Sequence, residues 1–195
     1  MLRKSFTVLT CGLALAGAAA VAGQQPAAPP PPANLIEEVH RLYYTPIQNN
    51  ILRAAEQFPA DKYTWQPTPD VRSWARLIGH LTDDNNVMCW AIMKDGPTPA
   101  FVDMPNGAES GANKLSKEQL VAGFKASIER CDRAFASLTP ANMNDPSGLR
   151  PGTTRIGMLI YNTSHTNEHY GNLVTYMRLQ GLVPPSSQGR GGRGN

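Results

Sequence analysis

The chain reads as an all-α protein, a four-helix bundle with one long crossover connection. Three observations predict this. Four stretches carry apolar residues at the i, i+3, i+4 spacing of one helix face. No stretch alternates for long with the two-residue period of a strand. Proline- and glycine-bearing segments separate the four stretches, and one of them, 95–115, is long. Four amphipathic helices bury their apolar stripes by packing on one another, which gives the bundle.

The two ends of the 195-residue chain stand apart from this pattern. Arg3 and Lys4 precede a charge-free, alanine-rich run over 6–21, followed by Ala22 and Gly23. Residues 1–23 therefore read as a secretory signal peptide, cleaved near Gly23. The run is too short for a stable membrane span. Export to the periplasm or the extracellular space follows as the expected location. "QQPAAPPPPA", 24–33, is a proline-rich linker that favours extended polyproline II. Residues 186–195, "SSQGRGGRGN", lack apolar side chains and read as a disordered glycine/arginine tail. The segment 34–185 remains, about 150 residues, the size of one domain.

The first helix spans 34–57, with Asn34 and Glu37 in an N-terminal capping pattern and a kink or restart expected at Pro46. "FPADKYTWQPTPD" is the loop after it. The second helix starts at Ser73 and runs to about Lys94, where "DGPTP" stops it. "SKEQ", 116–119, fits a capping box and opens the third helix, which runs to about Leu138. The fourth helix starts at Thr153 or Thr154 and runs to Gln180. Gly181 then serves as its C-terminal cap, with Pro184 and Pro185 beyond.

The formal net charge is +3, and part of that excess lies in the signal and the tail. The domain is close to neutral, so no broad basic surface points to nucleic acid as a partner. Cys11 falls in the signal run. Cys89 and Cys131 remain, at a spacing that matches no zinc or redox motif. Both fall mid-helix, so two buried thiols are the preferred expectation. Export leaves a disulfide chemically open.

Two of the four histidines sit in "NTSHTNEHYGN", 162–172. One helical turn separates His165 from His169, so both project from one face. Met158, Asn162, Asn172 and Tyr176 share that stripe, which is largely apolar and therefore inward. His80 lies on a comparable stripe of the second helix, with Ser73, Leu77, Asp84, Val87, Met88 and Ala91. An imidazole buried without a partner costs free energy. One divalent transition metal (Zn, Ni or Fe) would satisfy His80, His165 and His169 together. Three protein ligands leave a coordination position open, the pattern of a catalytic centre. The alternative is that each histidine is satisfied by a hydrogen bond. Asp84, Asn162 and Glu168 are candidate supporting groups around the three. His40, among Glu37, Glu38 and Arg41, is expected to be a solvated surface histidine. Residues 165–169 also fit H-x-x-E-H, an inverted zinc-peptidase pattern. No Asp or Glu follows Glu168 to act as a third ligand, which sets that reading aside.

Two longer stretches carry a family resemblance. "FPADKYTWQPTPDVRSWARLIGHLTDDN" resembles the loop and second helix of DinB-like proteins, with a P-x-P turn, a serine-aromatic start and a histidine followed by Leu81. "SHTNEHYGNLVTYMRLQGLVPP" resembles their last helix, with H-x-x-x-H and a closing G-L-V-P-P. The resemblance implies an up-down-down-up bundle, a three-histidine metal site formed by His80, His165 and His169, and an option of homodimer formation. It also implies an activity among metal-dependent hydrolases or thiol-dependent transferases acting on a small molecule. Where the family often has Arg-Gly-Gln after the last ligand, this chain has Tyr170-Gly171-Asn172. The competing functional reading is a non-catalytic metal- or ligand-binding bundle.

Overall fold

The computed structural model describes residues 30–189. The signal peptide, Cys11, most of the linker and residues 190–195 of the tail lie outside the described residues. Within them, four long helices start where side-chain caps put them. α1 (35–57) begins after Asn34, whose Oδ1 accepts from the Glu37 N–H at 3.0 Å. α2 (Trp74–Met93) is capped by Ser73, α3 (Lys117–Ala136) by the Ser116/Gln119 capping box, and α4 (Arg155–Leu179) by Thr154. Each cap satisfies one of the orphan N–H groups of a helical first turn. Beyond α4, Gly181 takes φ +73° and turns the chain away.

The irregularity expected at Pro46 is a widened turn. α1 consists of Leu35–Glu38, a π-helical stretch Val39–Tyr44, and Thr45–Gln57. The Thr45 N–H bonds the His40 carbonyl, five residues back. Pro46 has no N–H to give, and its ring would crowd the carbonyl four residues earlier in a regular helix. The wider turn ahead of it relieves both problems.

The contacts fix the directions of the helices. α2 and α3 run parallel, because Asn85 meets Ser127 at 3.2 Å and Cys89 is bonded to Cys131 one turn further along both. α4 runs antiparallel to α2: Ile92 meets Arg155, Asn85 meets Asn162, and the ring of His80 meets that of His169. α1 is antiparallel to α2, with Gln48 against Asn85 and Phe58 stacked on Trp74 at 3.7 Å between centroids. The result is an up-down-down-up bundle.

Two apolar clusters fill it. One surrounds Phe58, Trp74, Leu81, Phe124 and Leu173, the other Tyr44, Met88, Phe135 and Leu159. Between them lies a buried polar layer with one residue from each helix. Asn85 exchanges hydrogen bonds with Gln48 (3.4 and 3.1 Å), donates to Ser127 (3.2 Å) and accepts from Asn162 (2.9 Å). An amide unpaired there would cost about 1–3 kcal/mol, so the layer disfavours any other alignment of the four helices.

Three expectations change here. Cys89 and Cys131 form a disulfide, not two thiols. Their mid-helix positions lie on neighbouring parallel helices with the Cα atoms 5.1 Å apart, within bridging range. His40 is packed rather than solvated: its Nε2 lies 2.8 Å from Asp132 Oδ1, and its ring packs against Phe135 at 4.6 Å. The expected tail is attached to the bundle over its first residues. Pro185–Ser187 form a 3-10 turn, the Ser186 N–H donates to Tyr170 Oη at 3.0 Å, and Gln188 bonds Gln57 at 2.9 Å.

The crossover between α2 and α3 is pinned to α2. Both Asp83 oxygens accept backbone N–H bonds, from Val102 at 2.7 Å and Asp103 at 2.8 Å. Gly79 lets the crossover come close, since a Cβ there would stand 2.7 Å from the Ala112 Cβ. The crossover thereby forms one wall beside His80.

Candidate metal centre

His80 projects from α2 between the Ser73 cap and the polar layer, and the antiparallel α4 brings His165 and His169 opposite it. Each of the three offers one nitrogen, and these atoms all lie within 4.8 Å of one another. The Nε2 atoms of His165 and His169 are 3.1 Å apart. Two nitrogens bound to one tetrahedral zinc at ~2.0–2.1 Å would stand ~3.4 Å apart, so the pair is close to coordination spacing. The three rings cross at 83–85° in every pairing. His169 is buried, while His80 and His165 are about one-fifth exposed.

A carboxylate and an amide lie beside the rings. Asp84 Oδ2 lies 3.2 Å from both His80 Nε2 and His165 Nδ1. Neither contact has hydrogen-bond geometry, so Asp84 Oδ2 and His165 Nδ1 are buried polar atoms without a hydrogen-bond partner. Asn172 holds the far side of His169, its amide nitrogen 3.2 Å from Nδ1. Turning that amide over would let its oxygen accept from Nδ1–H and free the Nε2 lone pair. Tyr161 stacks parallel to His165 at 5.9 Å.

The electrostatics favour the neutral form of two of the three imidazoles. Burial is the largest cause lowering His169, with His80 and His165 adding to it, and its pKa falls to about 4. Burial also lowers His80, against the pull of Asp84. His165 is raised, because the adjacent Asp84 carboxylate outweighs burial. A neutral imidazole is the form that binds a metal.

The donor set fits a divalent transition metal. Three imidazole nitrogens converge, with the Asp84 carboxylate against His80 and His165 and the Asn172 amide against His169. Of the supporting groups expected around the site, Asp84 is in place. Asn162 belongs to the polar layer, bonded to Asn85. Glu168 is exposed and acts on His165 only through its charge. Arg72, Arg76, Asp83 and Asp103 carry no motif in the sequence that marks them as site residues. They come together only through the fold of the crossover, although the position of Arg72 just before a helix cap was readable.

The centre opens to two clefts. One, of about 610 Å³, is lined by Arg72, Arg76, Leu77, Asn106, His169 and Tyr176 among others. The other, of about 210 Å³, includes Arg72, His80, Asp84, Phe101 and Asp103.

Fold and site together define an up-down-down-up helical bundle with a three-histidine cluster compatible with metal binding at the mouth of a cleft. The chain belongs to the DinB superfamily, whose family model matches residues 44–173. That span contains all three histidines. No protein of curated function matches the chain.

Proposed function

We propose that His80, His165 and His169 hold one divalent transition metal, Zn, Ni or Fe, and that the centre serves a metal-dependent hydrolase or transferase acting on a small molecule. The observation that carries this reading is three convergent imidazoles on two helices, with His169 lining one cleft and His80 the other. A cation held there supplies Lewis acidity, which polarises a carbonyl or phosphoryl oxygen and acidifies water. The protein's own part is positional. Asp84 faces the outer nitrogen of His165, and Asn172 that of His169, so both rings keep their Nε2 atoms turned to the centre. The two clefts admit the substrate from the sides of His80 and His169.

Elemental analysis of the purified protein tests the site. A single divalent ion per chain is expected, lost in His80→Ala, His165→Ala and His169→Ala. Protein that carries no stoichiometric metal and takes none up sinks the idea. A hydrolase screen on metal-loaded protein then tests the chemistry, with activity expected to vanish in His169→Ala.

The second reading is a non-catalytic metal-binding bundle. One observation favours it. Asp84 is shared between two of the histidines, and among the described residues no other carboxylate is in contact with them to act as a base. Metal binding without activity across the screen selects this reading.

We also propose that the chain is exported. The signal pattern over 1–23 supports this, and so does the Cys89–Cys131 bridge, because disulfides persist in oxidising compartments. Among the described residues, no helix is long and apolar enough to cross a membrane. N-terminal sequencing of the mature protein should begin near Gln24. A mature chain that retains the first residues overturns the proposal.

A further inference from the structure

Arg72 stands at the junction of the two clefts. It lines the cleft that contains His169 and also the one that contains His80 and Asp84. Its backbone is fixed on both sides. Ser73, next in the chain, is the cap of α2, and the Arg72 carbonyl accepts from Tyr176 Oη at 2.9 Å. Its side chain is held at one point, Nε to Asp103 Oδ2 at 3.2 Å. Nη1 and Nη2 make no hydrogen bond among the described residues, and the side chain is one-third exposed.

Asp103 does not need this arginine. Its Oδ1 accepts from Arg76 Nε at 2.8 Å and from Ser110 Oγ at 2.7 Å, and its Oδ2 receives Arg76 Nη2 at 3.4 Å. Nε and Nη2 of Arg76 are thereby occupied, and Nη2 also donates to Asn106 Oδ1 at 3.4 Å. Two arginines thus share one carboxylate, and Arg72, which lines both clefts beside Asp70, Asp83 and Asp84, keeps its Nη edge without a hydrogen bond among the described residues. Arg72 is also close enough to push all three histidine pKa values down.

We propose that Arg72 is the anchor for an anionic small molecule. A carboxylate or phosphate group accepts from its free Nη edge, and the remainder of the molecule reaches the three-histidine centre. A guanidinium edge matches the two oxygens of either group. Fixing the backbone and Nε in advance leaves little side-chain freedom to lose on binding. Calling that molecule the substrate rests on the metal-centre reading above. The anion site itself is made by the protein and stands without the metal.

The test is a chemical-shift titration of the chelated, metal-free protein with inorganic phosphate and, separately, with propionate. Saturable binding of at least one anion to the wild type is expected. Arg72→Ala should weaken it about tenfold or more, the loss expected for a charged hydrogen-bonding partner. Arg72→Lys keeps the charge without the fork, so it should fall between. Binding of phosphate alone or of propionate alone identifies the head group. No saturable binding of either anion, or binding by Arg72→Ala equal to wild type, overturns the proposal. Thermal melting of each variant confirms folding, and Arg72→Lys supplies the readout if the alanine variant does not fold. Metal content is measured separately by elemental analysis. A protein that binds the anion but no metal ends the metal-centre reading and leaves the anchor, and the converse result does the opposite.

Discussion

Reducing the Cys89–Cys131 bridge should cost the protein about 4 kcal/mol of stability. The bridge ties α2 to α3 across a sequence separation of 42 residues. Opening a loop of that size in the unfolded chain restores conformational entropy worth about 4 kcal/mol at 25 °C in the chain-entropy treatment. A domain of this kind has only about 5–15 kcal/mol in total, so the bridge is a large share of it. The melting temperature should fall by about 8–16 °C, at 2–4 °C per kcal/mol for about 150 residues. The assay compares urea unfolding of the oxidised protein with that of protein unfolded and refolded in a phosphine reductant. Reduction keeps both sulfur atoms in the core, so the comparison isolates the cross-link from any cavity. Coincident midpoints, or two free thiols in the denatured native preparation, would refute the reasoning.

Asn85→Ala removes the centre of the polar layer and leaves the Gln48 and Asn162 amides short of a partner. A loss of about 3 kcal/mol or more is expected in urea unfolding, and a loss below about 1 kcal/mol would show that the layer contributes little. The pKa of His169 is about 4 in the folded protein against 6.5 as the ordinary value, so the unfolded chain binds the proton more readily between those pH values. Its contribution to folding is present above pH 6.5 and is lost as pH falls towards 4. His80 acts in the same direction, and His165, whose pKa is raised, opposes them. Metal-free protein should therefore be less stable at pH 4.5 than at pH 7, and an NMR titration should place the His169 midpoint near 4 rather than near 6.5. Asp84→Asn removes the charge beside His80 and His165. Metal affinity should drop about 10–100-fold in a competition assay with a chromophoric chelator, and an unchanged affinity would remove Asp84 from the site.

Features that depend on neighbours within about one helical turn were legible along the chain. The capping residues Asn34, Ser73, Ser116 and Thr154 begin their helices where the pattern puts them, because a cap bonds an N–H only two or three residues away. The His165/His169 pair shares a face for the same local reason, and the apolar stripe around His80 already turned it inward. Contacts between helices come from packing alone. Cys89 looked like an isolated mid-helix thiol until the parallel run of α3 brought Cys131 beside it. Asn162, on the same stripe as the metal candidates, is claimed by Asn85 in the polar layer. His40, charged neighbours notwithstanding, is taken up by Asp132 and Phe135 on another helix. Arg72 and Asp103 meet only because Asp83 clamps the crossover against α2. A hydrogen bond within one turn is set by backbone geometry and a few side chains. A contact between residues tens of positions apart depends on which helix faces pack together, and the chain as a whole settles that.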